Sequence, residues 1–402
     1  MNQDDHKAGE SAQEEGRFSL VLGGPFYRLL QRLRLSGPGL ELLGRRVAVL
    51  SLFTWLPLLV LSLVDGKVWG GAIRIPFLAD AETYARFLVA LPLMLVAEVV
   101  ANSRLGGIVK RFTERELIPE PARARFDAAK ASALRLRNST VAEVAIVLFV
   151  YTAGVLYIWR HHIAMAVSTW HSSQVGGVMR PSLAGWWLVG VSLPIFQFIF
   201  YRWFYRMFIW ARFLWQVSRL GLHLIPTHPD RAGGLGFLRN VVYAFVPWLM
   251  AQGAMMSGLL ADRILFAGAA LPQFKIELVG LVAVLTLVML GPLLFFTPTL
   301  EKARRTGWSE YGTLAHRYMS GFDRKWLRGG APKDEPLMGS ADIQSMADMG
   351  NSYAVVQSMR LTPFSMQTIV QIAVITLVPV LPLVLTMFSV EQLVGHLLQM
   401  IF

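Results

Sequence analysis

The chain has 402 residues, of which 54% are hydrophobic and only 16% are charged, and its mean hydropathy is +0.47. A soluble domain carries about 25% charged residues, so this composition excludes an ordinary soluble globular protein. The absence of cysteine excludes disulfides, thiolate metal sites and cysteine nucleophiles. A formal net charge of +12 could indicate a nucleic-acid partner, but the distribution of the basic residues along the chain, given below, indicates a membrane protein instead.

The N-terminal region, residues 1–46, is predicted to remain outside the hydrocarbon. Residues 1–16 are polar and acidic, with too little apolar surface to fold. Residues 25–35 alternate leucines with arginines at a spacing that predicts a short helix lying at the membrane interface. No apolar segment near the start ends in a small-residue cleavage site, so we expect no removable signal peptide.

Seven apolar segments are predicted to cross the hydrocarbon of a membrane, a layer that about 20 residues of helix span. They are residues 47–64, 87–101, 141–159, 183–201, 241–261, 278–296 and 366–388. Backbone groups in hydrocarbon must form their hydrogen bonds within one segment, so each segment is predicted to be a helix. The expected fold is therefore all-α, a polytopic helical membrane protein with about seven transmembrane helices.

The basic residues predict the orientation of these helices. Segments 1–46, 102–138, 202–239 and 301–360 hold 31 of the 38 lysines and arginines, and the connections on the other side hold 7. Because cytoplasmic loops carry the excess of basic residues, we expect the N-terminus and a helical cytoplasmic face inside the cell. This distribution accounts for the net charge without nucleic acid. It also predicts contact with anionic lipids at the inner face.

The expected domain organisation follows from the spans. Residues 47–300 form a six-helix membrane region with inner connections 102–138 and 202–239, and residues 301–360 form a cytoplasmic helical segment. Residues 361–402 contain the seventh helix and an amphipathic tail, which either lies along the outer surface or returns as a hairpin. In residues 301–360 we predict a helix that starts after Ser340 and stops at Gly350.

The connection between the fourth and fifth spans holds most of the chemically versatile residues outside the hydrocarbon. His228 and Asp230 have a spacing that can serve a metal, although we expect no metal and no cofactor there. The prolines and glycines favour a constrained gating or binding loop instead. An anionic group such as a lipid phosphate could also bind to an arginine and the glycine amides. The candidate loop residues are His223, His228, Asp230, Arg231, Gly233, Gly234 and Gly236.

Two carboxylates fall inside predicted spans, Glu98 and Glu143. Each lies about 9 Å in from a basic residue on the same side, so the two can share one site. Intramembrane acids often mark an ion or proton path, and the alternative is that each pairs with an arginine and braces the helices. Gln197 and Gln252 can line the same path or join helices by hydrogen bonds.

Aromatic residues and arginines alternate in residues 201–222, at the inner end of the fourth span. Nucleic-acid stacking surfaces use the same residue types. Because the stretch continues directly from a span, we interpret it as an interfacial belt that includes Arg202 and Arg206.

Two stretches carry a resemblance to known sequences. They are Pro226-Thr-His-Pro-Asp-Arg-Ala-Gly-Gly-Leu-Gly-Phe237 and Ala341-Asp-Ile-Gln-Ser, the latter continuing through Met359-Arg-Leu-Thr-Pro-Phe364. Both resemble a family of uncharacterised multi-pass inner-membrane proteins of bacteria. The resemblance implies a location in the cell inner membrane and a multi-pass topology. It implies no catalytic residue.

The favoured function is a transporter or channel for a small solute or ion, rather than an enzyme. Glu98 and Glu143 would line the path and the central loop would gate it. One alternative is a membrane-embedded enzyme that acts on a lipid or isoprenoid at the cytoplasmic interface, with His228 and Asp230 at headgroup level. Another is a membrane scaffold or sensor. Small residues around Ala254 and Gly258 are compatible with close helix packing and with a homo-oligomer.

Overall fold

The structure is a computed structural model that describes residues 18–37, 40–69, 73, 75–154, 169–175 and 178–387. In its first half the helices are α1 (Pro25–Arg32), α2 (Leu43–Val64), α3 (Ala81–Glu114), α4 (Arg123–Arg137) and α5 (Thr140–Phe149). A short antiparallel hairpin, β1 (Ser172–Val175) and β2 (Val178–Pro181), precedes the second half. There the helices are α6 (Leu183–Ser218), α7 (Leu235–Ala244), α8 (Val246–Ala267), α9 (Leu271–Leu327), α10 (Ala341–Gln357) and α11 (Met366–Met387).

Five of these helices, α2, α3, α6, α9 and α11, are long and apolar enough to cross a membrane. A sixth candidate is the pair α7 and α8, which bend by 48° where they meet. The prediction of a polytopic helical membrane protein is confirmed. The third predicted span begins as α5 and continues as a π-helical turn, Val150–Gly154. Its last residues, 155–159, fall outside the described part of the chain. The acidic tail and the C-terminal tail, residues 1–17 and 388–402, also lie outside it.

The fifth predicted span, residues 241–261, is interrupted in the structure at Phe245, between α7 and α8. Pro247 stands in the first turn of α8, where its missing N–H costs no helical hydrogen bond. The preceding helix α7 therefore ends at Ala244 and points in another direction. The span then continues to Ala267, beyond the predicted end.

Helix α8 lies at the centre of the bundle because small residues let its neighbours approach closely. A side chain at Gly253 would meet the carbonyl oxygen of Thr376 in α11 at 1.9 Å. One at Gly258 would meet Cβ of Ala85 in α3 at 2.5 Å. The small-residue face that the sequence analysis noted is thus occupied by helices of the same chain.

Helix α9 is much longer than a membrane crossing requires. Its 57 residues span about 86 Å, against about 30 Å of hydrocarbon. Its polar second half packs on α10, where Trp308 Nε1 donates to the carbonyl oxygen of Val356. Helix α10 starts after Ser340, as predicted, but the predicted stop at Gly350 is wrong. Contacts with α9 on both sides of Gly350 hold this stretch helical to Gln357.

Candidate functional site

The loop between α6 and α7 is organised by the carboxylate of Asp230. Oδ1 accepts hydrogen bonds from the backbone N–H of Ala232 at 2.8 Å and of Gly234 at 3.2 Å. Oδ2 accepts from the N–H of Gly236 at 2.8 Å. The imidazole Nδ1 of His228 lies 2.9 Å from Oδ1. One side chain therefore folds residues 228–236 around itself.

The hydrogen bonds keep this carboxylate ionised. Burial by itself would raise the pKa of Asp230, but the N–H groups of Ala232, Gly236 and Gly234, with His228, lower it below its ordinary value. An ionised carboxylate is the stronger acceptor for backbone N–H groups. At neutral pH the negative charge of Asp230 is thus balanced by hydrogen-bond donors of the loop itself.

The loop requires glycine at three positions for two different reasons, backbone conformation and lack of space for a side chain. Gly233 and Gly234 adopt φ of 62° and 97°, where residues with a Cβ are strained. Gly236 is required for space, because a Cβ there would lie 2.9 Å from both Cβ and Oδ2 of Asp230. Arg231 also has a positive φ of 53°, so a non-glycine residue is held in the left-handed region at the turn.

Two other parts of the chain fix this loop. Arg360, which follows α10, donates its backbone N–H to the carbonyl oxygen of Arg231 at 2.7 Å and Nη2 to that of Asp230 at 2.9 Å. Arg115, just after α3, donates Nη1 to the carbonyl oxygen of Gly234 at 3.0 Å. The loop is therefore the point where the ends of α3, α6 and α10 meet.

A cavity of about 560 Å³ opens beside the loop, and we call it the arginine pocket. Most of its lining side chains are polar, and five of them are arginines. The lining residues are Arg111, Arg115, His228, Pro229, Asp230, Arg231, Gly236, Phe237, Arg239, Asn240, Ser358 and Arg360.

The charge of the arginine pocket is strongly positive. Five guanidinium groups face one carboxylate, that of Asp230, which the loop already satisfies. Within the described residues, no salt bridge engages any of the five arginines. The Nε of Arg360 is buried and has no hydrogen-bond partner among the described residues. Such a pocket attracts anions, because planar guanidinium groups match phosphate and carboxylate oxygens.

The length of α3 and the polar residues at its end indicate that the arginine pocket lies outside the hydrocarbon. The 34 residues of α3 extend about 51 Å, which leaves about 20 Å of the helix outside a hydrocarbon layer of about 30 Å. Arg111 and Arg115 stand at the polar end of this helix, about 20 Å or more beyond Glu98. We call this end of the bundle, where α3 ends and α9 continues outward, the basic end.

The pH dependence of the melting temperature tests whether the ionised carboxylate of Asp230 stabilises the loop. Because the folded protein lowers the pKa of Asp230, the carboxylate stabilises the loop above the unfolded pKa of about 3.9 and loses this effect as the pH falls through the folded value. We expect Asp230→Asn to lower the melting temperature by the same amount from about pH 8 to about pH 5. The gap between wild type and variant should close below about pH 4. A gap that is independent of pH would contradict this role.

Glu98 and Glu143 come together with three arginines inside the bundle, in what we call the buried charge cluster. Arg202 bridges the two acids, with Nη1 3.2 Å from Glu98 and Nε 3.2 Å from Glu143. Arg206 Nη2 and Arg46 Nη1 reach Glu98 at 2.8 Å and 3.2 Å. All five side chains are nearly or fully buried.

The buried charge cluster has one more positive than negative charge. Nε of Arg46 and Nη1 of Arg206 are buried and have no hydrogen-bond partner within the described residues. Arg202 lies between the two acids and contacts both, which relieves their repulsion. Arg202 and Arg206 were interpreted as part of an interfacial belt. That interpretation is wrong, because both side chains point into the bundle.

Gln197, Gln252 and His223, the remaining predicted site residues, form no hydrogen bond or salt bridge with the carboxylates or arginines named above within the described residues. Gln252 donates to the carbonyl oxygen of Trp248 within its own helix, and Oε1 of Gln197 is buried with no partner among the described residues. The backbone N–H of His223 donates to the carbonyl oxygen of Leu117. In the described part of the chain no group of three histidines or acids could hold a metal ion.

Sequence reasoning missed the arginines that complete both sites. The position of Arg46 near the start of a span was one sequence signal that could have indicated its role. Another was the spacing of Arg202 and Arg206, which lie four residues apart on one helical face. Arg360 lies within one of the stretches that carried the resemblance. Nothing in the sequence indicated that this stretch contacts residues 226–237, as its hydrogen bonds to Asp230 and Arg231 show.

No protein family model matches the chain, and neither a curated protein nor a solved structure matches it. The resemblance to bacterial inner-membrane proteins therefore stays a prediction. The apolar helices identify the chain as an integral membrane protein.

Proposed function

We propose that this membrane protein is a transporter or channel for a small anionic solute that carries phosphate or carboxylate groups. The observation that carries the proposal is the arginine pocket, in which five guanidinium groups face one internally satisfied carboxylate in about 560 Å³. The pocket stands in the aqueous region beyond the hydrocarbon, so a soluble anion reaches it more readily than a lipid headgroup.

The path of the solute would pass the buried charge cluster. Its excess positive charge and unpartnered guanidinium N–H groups favour an anion over the proton or cation that two isolated carboxylates would attract. In this proposal Glu98 and Glu143 position the arginines, and Gln197 and Gln252 contribute to the path. The loop from His223 to Gly236 gates the arginine pocket.

The basic end faces the cytoplasm in this proposal, as the distribution of lysines and arginines predicts. The membrane would be the inner membrane of a bacterium, as the resemblance implies. The protein would contact anionic lipids there and could assemble as a homo-oligomer.

A second candidate is an enzyme that acts on a lipid or isoprenoid. The observation that favours it is the contact between His228 Nδ1 and Asp230 Oδ1 at 2.9 Å, on the wall of the arginine pocket. A histidine oriented by a carboxylate can act as a general base. The three backbone hydrogen bonds of Asp230 give that carboxylate a structural task, which makes transport the better supported function. A scaffold or sensor would use the pocket for binding alone.

Binding of inorganic pyrophosphate to the purified protein tests the proposal. Arg111→Gln combined with Arg239→Gln removes two guanidinium groups, neither of which forms a side-chain hydrogen bond or ion pair within the described residues. Charge-assisted hydrogen bonds contribute about 1.5–3 kcal/mol each, so we expect the double variant to bind at least roughly tenfold more weakly. Titration calorimetry at two salt concentrations measures this, and binding should weaken at high salt.

The matched control is Arg212→Gln combined with Arg317→Gln, which removes the same charge from exposed positions outside the pocket. Equal binding by the two double variants would contradict the assignment of the pocket. Flux of labelled phosphate into liposomes then separates transport from binding alone. Conversion of an added lipid without flux would support the enzyme.

A further inference from the structure

A second cavity, of about 620 Å³, lies between the interfacial helix α1 and helix α5. We call it the interfacial groove. Its walls are mostly apolar, and two arginines and the carboxylate of Glu143 stand among them. That carboxylate is already engaged by Arg202 and by the backbone N–H of Phe26, whereas the two arginines have no acidic partner among the described residues. The residues that define it are Phe26, Arg28, Leu29, Arg32, Val147 and Phe198.

Two features of the interfacial groove point to one kind of ligand. Along α5 the lining residues Thr140, Val144 and Leu148 form a stripe about 12 Å long on one helical face. Arg28 and Arg32 stand one turn apart on α1, and both are exposed. No described residue forms a salt bridge with either arginine. An apolar trough beside two unpaired guanidinium groups matches a molecule with a hydrocarbon chain and an anionic head.

We propose that the interfacial groove binds one anionic phospholipid, with its phosphate on Arg28 and Arg32 and an acyl chain along α5. Arginine pairs with phosphate oxygens through two parallel hydrogen bonds, so two arginines one turn apart hold a headgroup in place. The charge complementarity excludes a zwitterionic lipid as the preferred occupant, because its positive group would face the same arginines. This site is separate from the arginine pocket and does not depend on the proposed transport.

The bound lipid would lie next to the buried charge cluster. The backbone N–H of Phe26 donates to Glu143 Oε2 at 2.7 Å, and the guanidinium of Arg202 stacks on the Phe26 ring at 4.9 Å. The carbonyl oxygen of Gly23 accepts from Arg202 Nη2. Helix α1 therefore carries the groove on one side and contacts Glu143 and Arg202 at its start. A lipid that holds α1 in place would also hold these contacts.

Native mass spectrometry of the detergent-purified protein tests this site. With equal amounts of added phosphatidylglycerol and phosphatidylcholine, we expect a single bound phosphatidylglycerol to predominate. Arg28→Gln with Arg32→Gln should reduce its retention roughly tenfold or more. Val147→Trp should also reduce it, because the larger side chain fills the groove without changing any charge.

The control is Arg34→Gln with Arg45→Gln, two exposed arginines of the same region that do not line the groove. This variant should retain the lipid as the wild type does. Equal retention of the two lipids by the wild type would overturn the proposal. So would equal loss in the control and in the Arg28 and Arg32 variant. Melting temperatures establish that the variants compared are folded.

Discussion

Replacing Glu98 with glutamine is expected to lower the free energy of unfolding by about 3–5 kcal/mol, because it leaves buried arginines without their counter-charge. Glu98 contacts Arg46, Arg202 and Arg206, and its side chain is only 3% exposed. Equilibrium unfolding in mixed detergent micelles measures the loss. Glu143→Gln should cost less, since Glu143 contacts one arginine and one backbone N–H.

Glu114→Gln is the matched control for this experiment. Glu114 pairs with Lys110 at 2.9 Å, and both side chains are at least half exposed. Surface ion pairs contribute about 0–1 kcal/mol, so this variant should be nearly as stable as the wild type. If Glu98→Gln cost no more than Glu114→Gln, the bracing role would be wrong. A folded Glu98→Gln protein that lost a pH-dependent flux would identify Glu98 as part of the path instead.

Replacing Gly236 with alanine is expected to weaken pyrophosphate binding by roughly tenfold or more, although it removes no charge. The new Cβ would lie 2.9 Å from Cβ and from Oδ2 of Asp230, so the carboxylate must move. Its hydrogen bonds to the N–H groups of Ala232 and Gly236 would weaken, and Arg231, which lies in the turn that these bonds close, would shift relative to Arg360. Titration calorimetry of the variant measures the change in affinity.

Gly350→Ala serves as the control for Gly236→Ala. Gly350 lies inside α10, and among the described residues no atom outside the helix lies within 4 Å of the position that a Cβ would take. Alanine in a helix interior is more favourable than glycine by about 0.5–1 kcal/mol, so this variant should bind normally and be slightly more stable. Normal binding by Gly236→Ala would show that the loop conformation does not shape the arginine pocket.

The sequence by itself determined the class of this protein and the helical form of its long apolar elements. Runs of apolar residues as long as those in α2 and α11 have one stable arrangement in hydrocarbon, a helix that satisfies its own backbone. The helix after Ser340 was also a local property, set by a preference for polar residues at helix starts. Where tertiary contacts support a helix through an unfavourable residue, as at Gly350, the local prediction failed.

Only the tertiary structure decided which charges meet. Glu98 and Glu143 could be placed at one depth from helix geometry, but the rotation of α6 that brings Arg202 between them depends on packing along its whole length. The arginine pocket joins Arg111, Arg231 and Arg360 from three distant segments, and sequence spacing does not record such contacts. An isolated arginine near a span has the same local pattern whether it faces lipid headgroups or a buried carboxylate. Its neighbours in space, and so its chemistry, are fixed by how the helices pack.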